Sequence, residues 1–354
     1  MKCDDKKSVV WSVLQNLLAT VLLTLIGIWG SNSIENILET PFSSDFEIWG
    51  FYLLVLLFVI LFTYLLRSRE VKTINSQQEL INKSNELEEI IRTLPPEGFL
   101  NLFSEKYGEA HTVYKELLLS GDKATKDEIE LSIRGILLGV LRLTAFFDRA
   151  DNDQSYGANV MIFTDSYKSD EKHADDLVKN LLFSNDDIDP QKLKGLLYLR
   201  HELSTNSDDD TSDLDKAISE ILITLPVPNE VKSEETQKFK VLPGAPLAMA
   251  LNSPNIYTNA ETLDEWVSTE GDFNKSIAAQ IKGYFCNGMG KDIKSFCSFP
   301  LSCDGHEPIA VLNIHKNKVG LLSQKDQFAL YSKIMAPFLA MVAELVNKLD
   351  EVQK

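Results

Sequence analysis

In this 354-residue chain the side chains best suited to moving a proton or holding a metal near neutral pH are five histidines, His111, His173, His201, His306 and His315. A catalytic or metal role needs partners at a fixed short spacing. The five are scattered, and none stands in a metal or phosphotransfer pattern. The cysteines, Cys3, Cys286, Cys297 and Cys303, fit no zinc spacing and read as free thiols of a reducing compartment. The Asp-rich stretches "SNDDIDP" and "STNSDDDTSD" lack the Gly and Glu of a calcium loop and read as solvated loops. There is no phosphate-binding loop and no kinase or cyclase core. The expectation is a binding protein rather than an enzyme, with no catalytic residue, no metal and no cofactor.

A second polar pattern lies where polarity is costly. Ser12, Asn16, Thr20 and Thr24 recur in steps of four inside an apolar run, with Gln15 beside Asn16 and Gly27 continuing the line. Steps of four keep side chains near one helix face, drifting about 40° each time. In a bilayer such a stripe either lines water or hydrogen-bonds against neighbouring helices. Both need several copies, because two helices alone enclose no path. If the assembly is a pore, these four residues line it and a homo-tetramer is the expected size.

The stripe implies membrane elements. Ser8 to Ile34 carries no charge, and Ile48 to Leu66 is a 19-residue uncharged run. A spanning helix needs roughly 20 such residues. The expected hairpin occupies residues 1–66, with spans at about 9–29 and 48–66. Lys2, Lys6 and Lys7 precede the first span, and Arg67, Arg69 and Lys72 follow the second. The connection between them is acidic, with Glu35, Glu39, Asp45 and Glu47. Lys and Arg bias places both termini in the cytoplasm, giving a multi-pass protein of the bacterial inner membrane. Trp11, Trp29, Trp49 and Tyr64 sit near span ends.

Residues 67–94 form the next expected element, a stalk helix. Thr73, Leu80, Leu87 and Leu94 recur every seven residues, with Ile74, Ile81 and Ile90 alongside, and Ser76 and Lys83 weaken the seam. It is either a coiled-coil stalk or a solvated connector. Pro95-Pro96 ends it, and residues 95–123 form a helical connector. Thr125 and Glu128 pair as a capping box for a long apolar helix. A strand follows at 158–163, and residues 164–235 read as a polar, interrupted insertion. Near the end, "KSFCSFPLS" and "EPIAVLNIH" are strands flanking an Asp-Gly turn. Ser323 caps the last helix, whose apolar seam runs Phe328, Tyr331, Met335, Phe338, Val342, Leu345 and Leu349, bent at Pro337. Residues 67–354 carry 32 basic and 46 acidic side chains. That balance disfavours duplex DNA, which requires basic stripes.

The run "SFCSFPLSCDGHEPIAVLNIHKNKVGLLSQKDQFALYSKIMAPFLAMVAELV" resembles the end of a GAF domain, and "LPGAPLAMALNSPNIYTN" resembles the entry to its pocket-covering helix. The resemblance spans about residues 120–350, within a sensor domain placed at 124–354. It implies an α+β fold: a six-stranded antiparallel sheet flanked by helices, first and last helices paired, and a small-molecule pocket on one sheet face. Its geometry puts Ser298, Phe299, Asn313, Tyr257 and Asn259 against a ligand, with Trp266, Phe285 and Phe163 as apolar walls or a stacking surface. Asn317, Lys318 and Asp326 match part of the signature of cyclic-nucleotide GAF domains, while Leu322 and Gln327 depart from it. The plan is similar to bacterial anti-phage effectors in which a nucleotide signal controls membrane spans. The expected function is an oligomeric channel or pore gated by a small ligand, such as a nucleotide or short oligonucleotide made by a nucleotidyltransferase partner. The alternative is a membrane-anchored scaffold or receptor that recruits a separate signalling protein.

Overall fold

A computed structural model describes residues 20, 23–24, 27, 46–151, 153–165, 181–183, 192–208, 223–303, 305–324 and 326–353. By internal contacts the chain divides into two units, 1–88 and 89–354. Within the first, Thr20, Leu23, Thr24 and Gly27 are helical. Thr24 Oγ1 donates to the Thr20 carbonyl at 2.8 Å, so this hydroxyl is satisfied by its own helix. Ser12 and Asn16, the first two residues of the polar stripe, lie outside the described residues.

Helix α1, Phe46–Thr93, runs for 48 residues through both the apolar run at 48–66 and the heptad segment. Its exposed apolar side chains include Trp49, Tyr52, Leu53, Leu56, Leu57, Val59, Ile60, Phe62 and Leu66. At 3.6 residues per turn these cover more than half the helix circumference. Farther along, Ile74, Leu80 and Ile81 of the heptad pattern are also exposed.

The second unit opens with α2 (Phe99–Ser120) and α3 (Lys126–Phe147). Thr125 caps α3 as its residue types dictate: its side chain accepts from Glu128 N, and the Glu128 carboxylate accepts from Thr125 N at 2.8 Å. Thr125→Ala is expected to cost about 1 kcal/mol of stability, read as a lowered urea midpoint of the full chain. An unchanged midpoint would mean that packing alone holds this helix end.

Strands β1 (Tyr156–Thr164), β2 (Leu193–Asn206) and β3 (Thr224–Pro228) follow. Then come α4 (Ala245–Leu251), β4 (Asn255–Tyr257), α5 (Leu263–Thr269) and α6 (Lys275–Cys286). The chain closes with β5 (Ser295–Leu301), β6 (Ala310–Lys316) and α7 (Gln327–Gln353). The six strands form one sheet, ordered β3-β2-β1-β6-β5-β4, and every neighbouring pair is antiparallel.

Strand alternation sorts side chains onto two faces. Ala158 and Val160 of β1, Cys297, Phe299 and Leu301 of β5, and Ala310, Leu312 and Ile314 of β6 enter one large core with α2, α3 and α7. The seam of α7 supplies Tyr331, Met335, Phe338, Val342, Leu345 and Leu349, each at most 2 % exposed. By length and composition alone α7 would be apolar enough to cross a membrane. Its seam is instead spent on this core, with the α3 hydroxyl of Thr144 bonded to Tyr331. The other sheet face carries Met161, Leu197 and Val311, covered by α4.

One ionic knot ties this layer together. Asp148, at the C-cap of α3, accepts from Lys316 Nζ and Tyr156 Oη, each at 2.7 Å, and from the Leu322 amide at 2.8 Å. Lys316 and Asp148 side chains are 6 % and 5 % exposed. An acidic residue at a helix C-terminus opposes the helix dipole, and Lys316 offsets it.

The structure differs from the sequence expectations at three places. Residues 164–235 are not merely an insertion, since β2 and β3 lie within them. The apolar run of β2 lacks period-two alternation because an interior strand is covered on both faces. The Asp-Gly hairpin is not tight: β5 ends at Leu301 and β6 begins at Ala310. Pro308, with no N–H to give a ladder, sits in this loop. The last helix begins at Gln327 rather than next to Ser323, with Gln327 Oε1 accepting from the Gln324 amide at 3.1 Å. Pro337 lies inside α7 without ending it.

Candidate functional site

The register of the sheet builds the site. Opposite one another across β1, β6, β5 and β4 stand Asn159, Asn313, Ser298 and Asn255. One step along, the row is Gly157, His315, Phe296 and Tyr257. Both rows occupy the face away from α2, α3 and α7. Ser298 Oγ donates to Asn313 Oδ1 at 2.7 Å, and Asn313 Nδ2 donates to Asn159 Oδ1 at 2.9 Å. Asn255 Nδ2 donates to the Gly244 carbonyl at 3.0 Å, while its buried Oδ1 has no partner among the described residues.

Over this polar floor lies a cavity of about 130 Å³. Its walls are Leu199 and Leu225 from β2 and β3, Leu242 to Ala245 at the start of α4, Leu263 from α5, and Ile281, Tyr284 and Phe285 from α6. Phe285 and Phe296 lie nearly parallel, 5.9 Å between centroids and 5° between planes. Two glycines keep the space open. A Cβ on Gly157 would come within 2.3 Å of His315 Nε2, so only glycine leaves room for the imidazole. Gly244, at φ +86, would put a Cβ 2.8 Å from the Phe296 ring.

Among the described residues that line the cavity there is no Lys, Arg, Asp or Glu. His315 has its pKa lowered to about 4 by burial, so the imidazole is neutral near pH 7. Burial pushes the Tyr284 phenol upward. The site is therefore an uncharged, mostly aromatic and aliphatic chamber with amide, hydroxyl and imidazole groups at its base.

Of the residues expected at a ligand, Asn313 and Phe285 line this cavity, and Ser298 lies buried beneath Asn313. Tyr257, Asn259 and Trp266 gather in a separate cleft with Asn255 and Thr262. Tyr257 packs on Phe296 at 5.2 Å and edge-on to Trp266 at 6.1 Å. Asn259 spends its side chain capping the turn at Ala260–Thr262. Phe163 packs closely over Gly195 and borders a groove with Tyr198 and Arg200. Phe299 points to the opposite face, against Phe328 and Tyr331. Adjacent strand residues cannot share a face, so Ser298 and Phe299 part company.

Two side chains of the partial cyclic-nucleotide signature have other work, and the third residue serves through its backbone. Asn317 Oδ1 accepts from the Ser155 amide at 3.0 Å, Lys318 pairs with Asp153, and the Asp326 carbonyl accepts from Leu330 N at 3.1 Å. None of the three lines the cavity. Asn159 and Phe296 escaped sequence reading, although the alternation of Asn313 with His315 in "AVLNIHK" marks the polar face.

No family model and no curated relative matches the chain. Among solved structures, the chain is similar to the GAF domain region of a protein from Geobacter sulfurreducens PCA described as a membrane protein. Identity is 14 %, coverage is 62 % of this chain and 95 % of the other, and the TM-score is 0.29. A likeness at that level carries no argument by itself. The class rests on the architecture in hand: an α+β unit with a six-stranded antiparallel sheet and α3 packed on α7, consistent with a GAF-like fold.

Proposed function

We propose that this protein is a membrane-anchored sensor, in which a small ligand bound on the sheet face controls an oligomeric membrane path. The observation that carries the reading is the cavity itself: an apolar chamber with a row of hydrogen-bonding side chains at its base, the usual make-up of a small-molecule site. Exposed apolar residues around α1 at 49–66 suit lipid contact. Ile74, Leu80 and Ile81 suit a seam with further copies of the chain. The polar stripe Ser12, Asn16, Thr20 and Thr24 would line the path or hold the helices together. Ligand that favours one arrangement of the sensor shifts the assembly toward it.

The test is ion flux from liposomes holding the full chain, with and without the small-molecule fraction of a cell extract. Flux should depend on that fraction, and should be lost in the cavity-filling Leu225→Trp and in Asn16→Leu/Thr20→Leu, which dries the path. Flux that persists in Leu225→Trp would separate the cavity from the output. An intact oligomer that never conducts would favour the anchored scaffold. Disassembly of the Asn16→Leu/Thr20→Leu protein would assign the stripe to packing.

A further inference from the structure

The cavity says more about its ligand than that it is small. We propose that it takes a neutral, single-ring planar molecule with a hydrogen-bonding edge, and not a phosphate-bearing nucleotide. This rests on the reading of the cavity as a ligand site, and three observations narrow the class.

Size is the first. A volume of about 130 Å³ is close to that of an engineered apolar cavity, on the order of 150 Å³, that holds one benzene. Charge is the second. Phosphate is normally gripped by Arg or Lys, or by free amides at a helix start. No cationic residue is among the described lining, and α4, which starts at the rim, has Pro246 in its first turn and so lacks one of those amides.

Hydrogen-bond arithmetic is the third. Asn313 is used at both ends of its amide, accepting from Ser298 and donating to Asn159. That leaves Asn159 Nδ2 as a donor. The His315 imidazole makes no hydrogen bond among the described residues, and a neutral imidazole offers one donor and one acceptor. The two side chains come from adjacent strands, beside the parallel rings of Phe285 and Phe296. A flat ring can lie against those faces while its polar edge meets Asn159 and His315.

The experiment uses two matched pairs of probes on the full chain in nanodiscs: uracil against uridine monophosphate, and p-cresol against p-cresyl phosphate. Binding is followed by calorimetry and by the shift in melting temperature. At least one neutral probe should bind and raise the melting temperature, with its phosphorylated partner at least tenfold weaker. Asn159→Leu should weaken a bound neutral probe about tenfold. Leu225→Trp and Leu199→Phe, with fold checked by near-UV circular dichroism, should abolish binding. Failure of both neutral probes overturns the proposal. If instead a phosphorylated probe binds best and the filling variants remove it, the neutral class is wrong while the cavity remains the ligand site. Neutral binding that survives both filling variants overturns the cavity assignment as well.

Discussion

Replacing Asp148 with Ala should destabilise the folded chain by about 3–5 kcal/mol, the usual result of removing one partner from a buried ion pair. The size follows from what is left behind. Lys316, 6 % exposed, would keep its charge with no counter-ion, and the Tyr156 hydroxyl and the Leu322 amide would lose their shared acceptor. These three groups come from β6, β1 and the loop entering α7, so the loss should loosen the contact between sheet and helices. Asp148→Ala/Lys316→Met should recover much of the deficit, because no uncompensated charge then remains. Urea denaturation of the four members of this cycle gives the coupling. If the double variant is no more stable than Asp148→Ala, the hydrogen bonds rather than the charge pair hold the junction.

The second large effect is a pH dependence seated at His315. Its folded pKa of about 4 lies below the ordinary value near 6.5. Between those values the unfolded chain binds a proton that the folded chain does not. Stability attributable to this group is therefore complete above about pH 7 and is lost as pH falls toward 4. By pH 5 the loss should reach up to about 2 kcal/mol. The residues beside the imidazole are uncharged: Gly157 and Phe296 are its partners on β1 and β5, and Asn206 brings its Oδ1 to the same space above Gly157. His315→Gln should flatten the stability profile between pH 7.5 and 5, leaving the background from carboxylates elsewhere. Identical slopes for the two proteins would show that the imidazole is already hydrated in the folded state.

Some of this was readable from residue order because the signals are local. The capping box at Thr125 and Glu128 needs only residues three apart and the backbone between them. The seam of α7 needs only a 3.6-residue period, and Tyr331, Met335, Phe338, Val342, Leu345 and Leu349 were visible that way, while the buried Met341, Ala343 and Val346 beside them were not. The apolar run at 48–66 and the helix that continues it are likewise properties of neighbouring residues.

Other features depended on what each segment meets. Nothing near Leu193–Asn206 marks it as an interior strand, because a strand covered on both faces loses the alternation that would announce it. Ser298 and Asn313 were legible as polar strand residues. That Asn159, 154 positions away in sequence, completes their hydrogen-bonded row follows only from the pairing of β1 with β6. The same register sends Phe299 into the helical core and seats His315 in the space that Gly157 leaves. Sequence alone determined which segments are helical, apolar or capped, since those are short-range matters of backbone and side-chain chemistry. Tertiary structure decided which side chains share the cavity and that its described lining carries no charge, because strand partners are chosen by burial across the whole sheet.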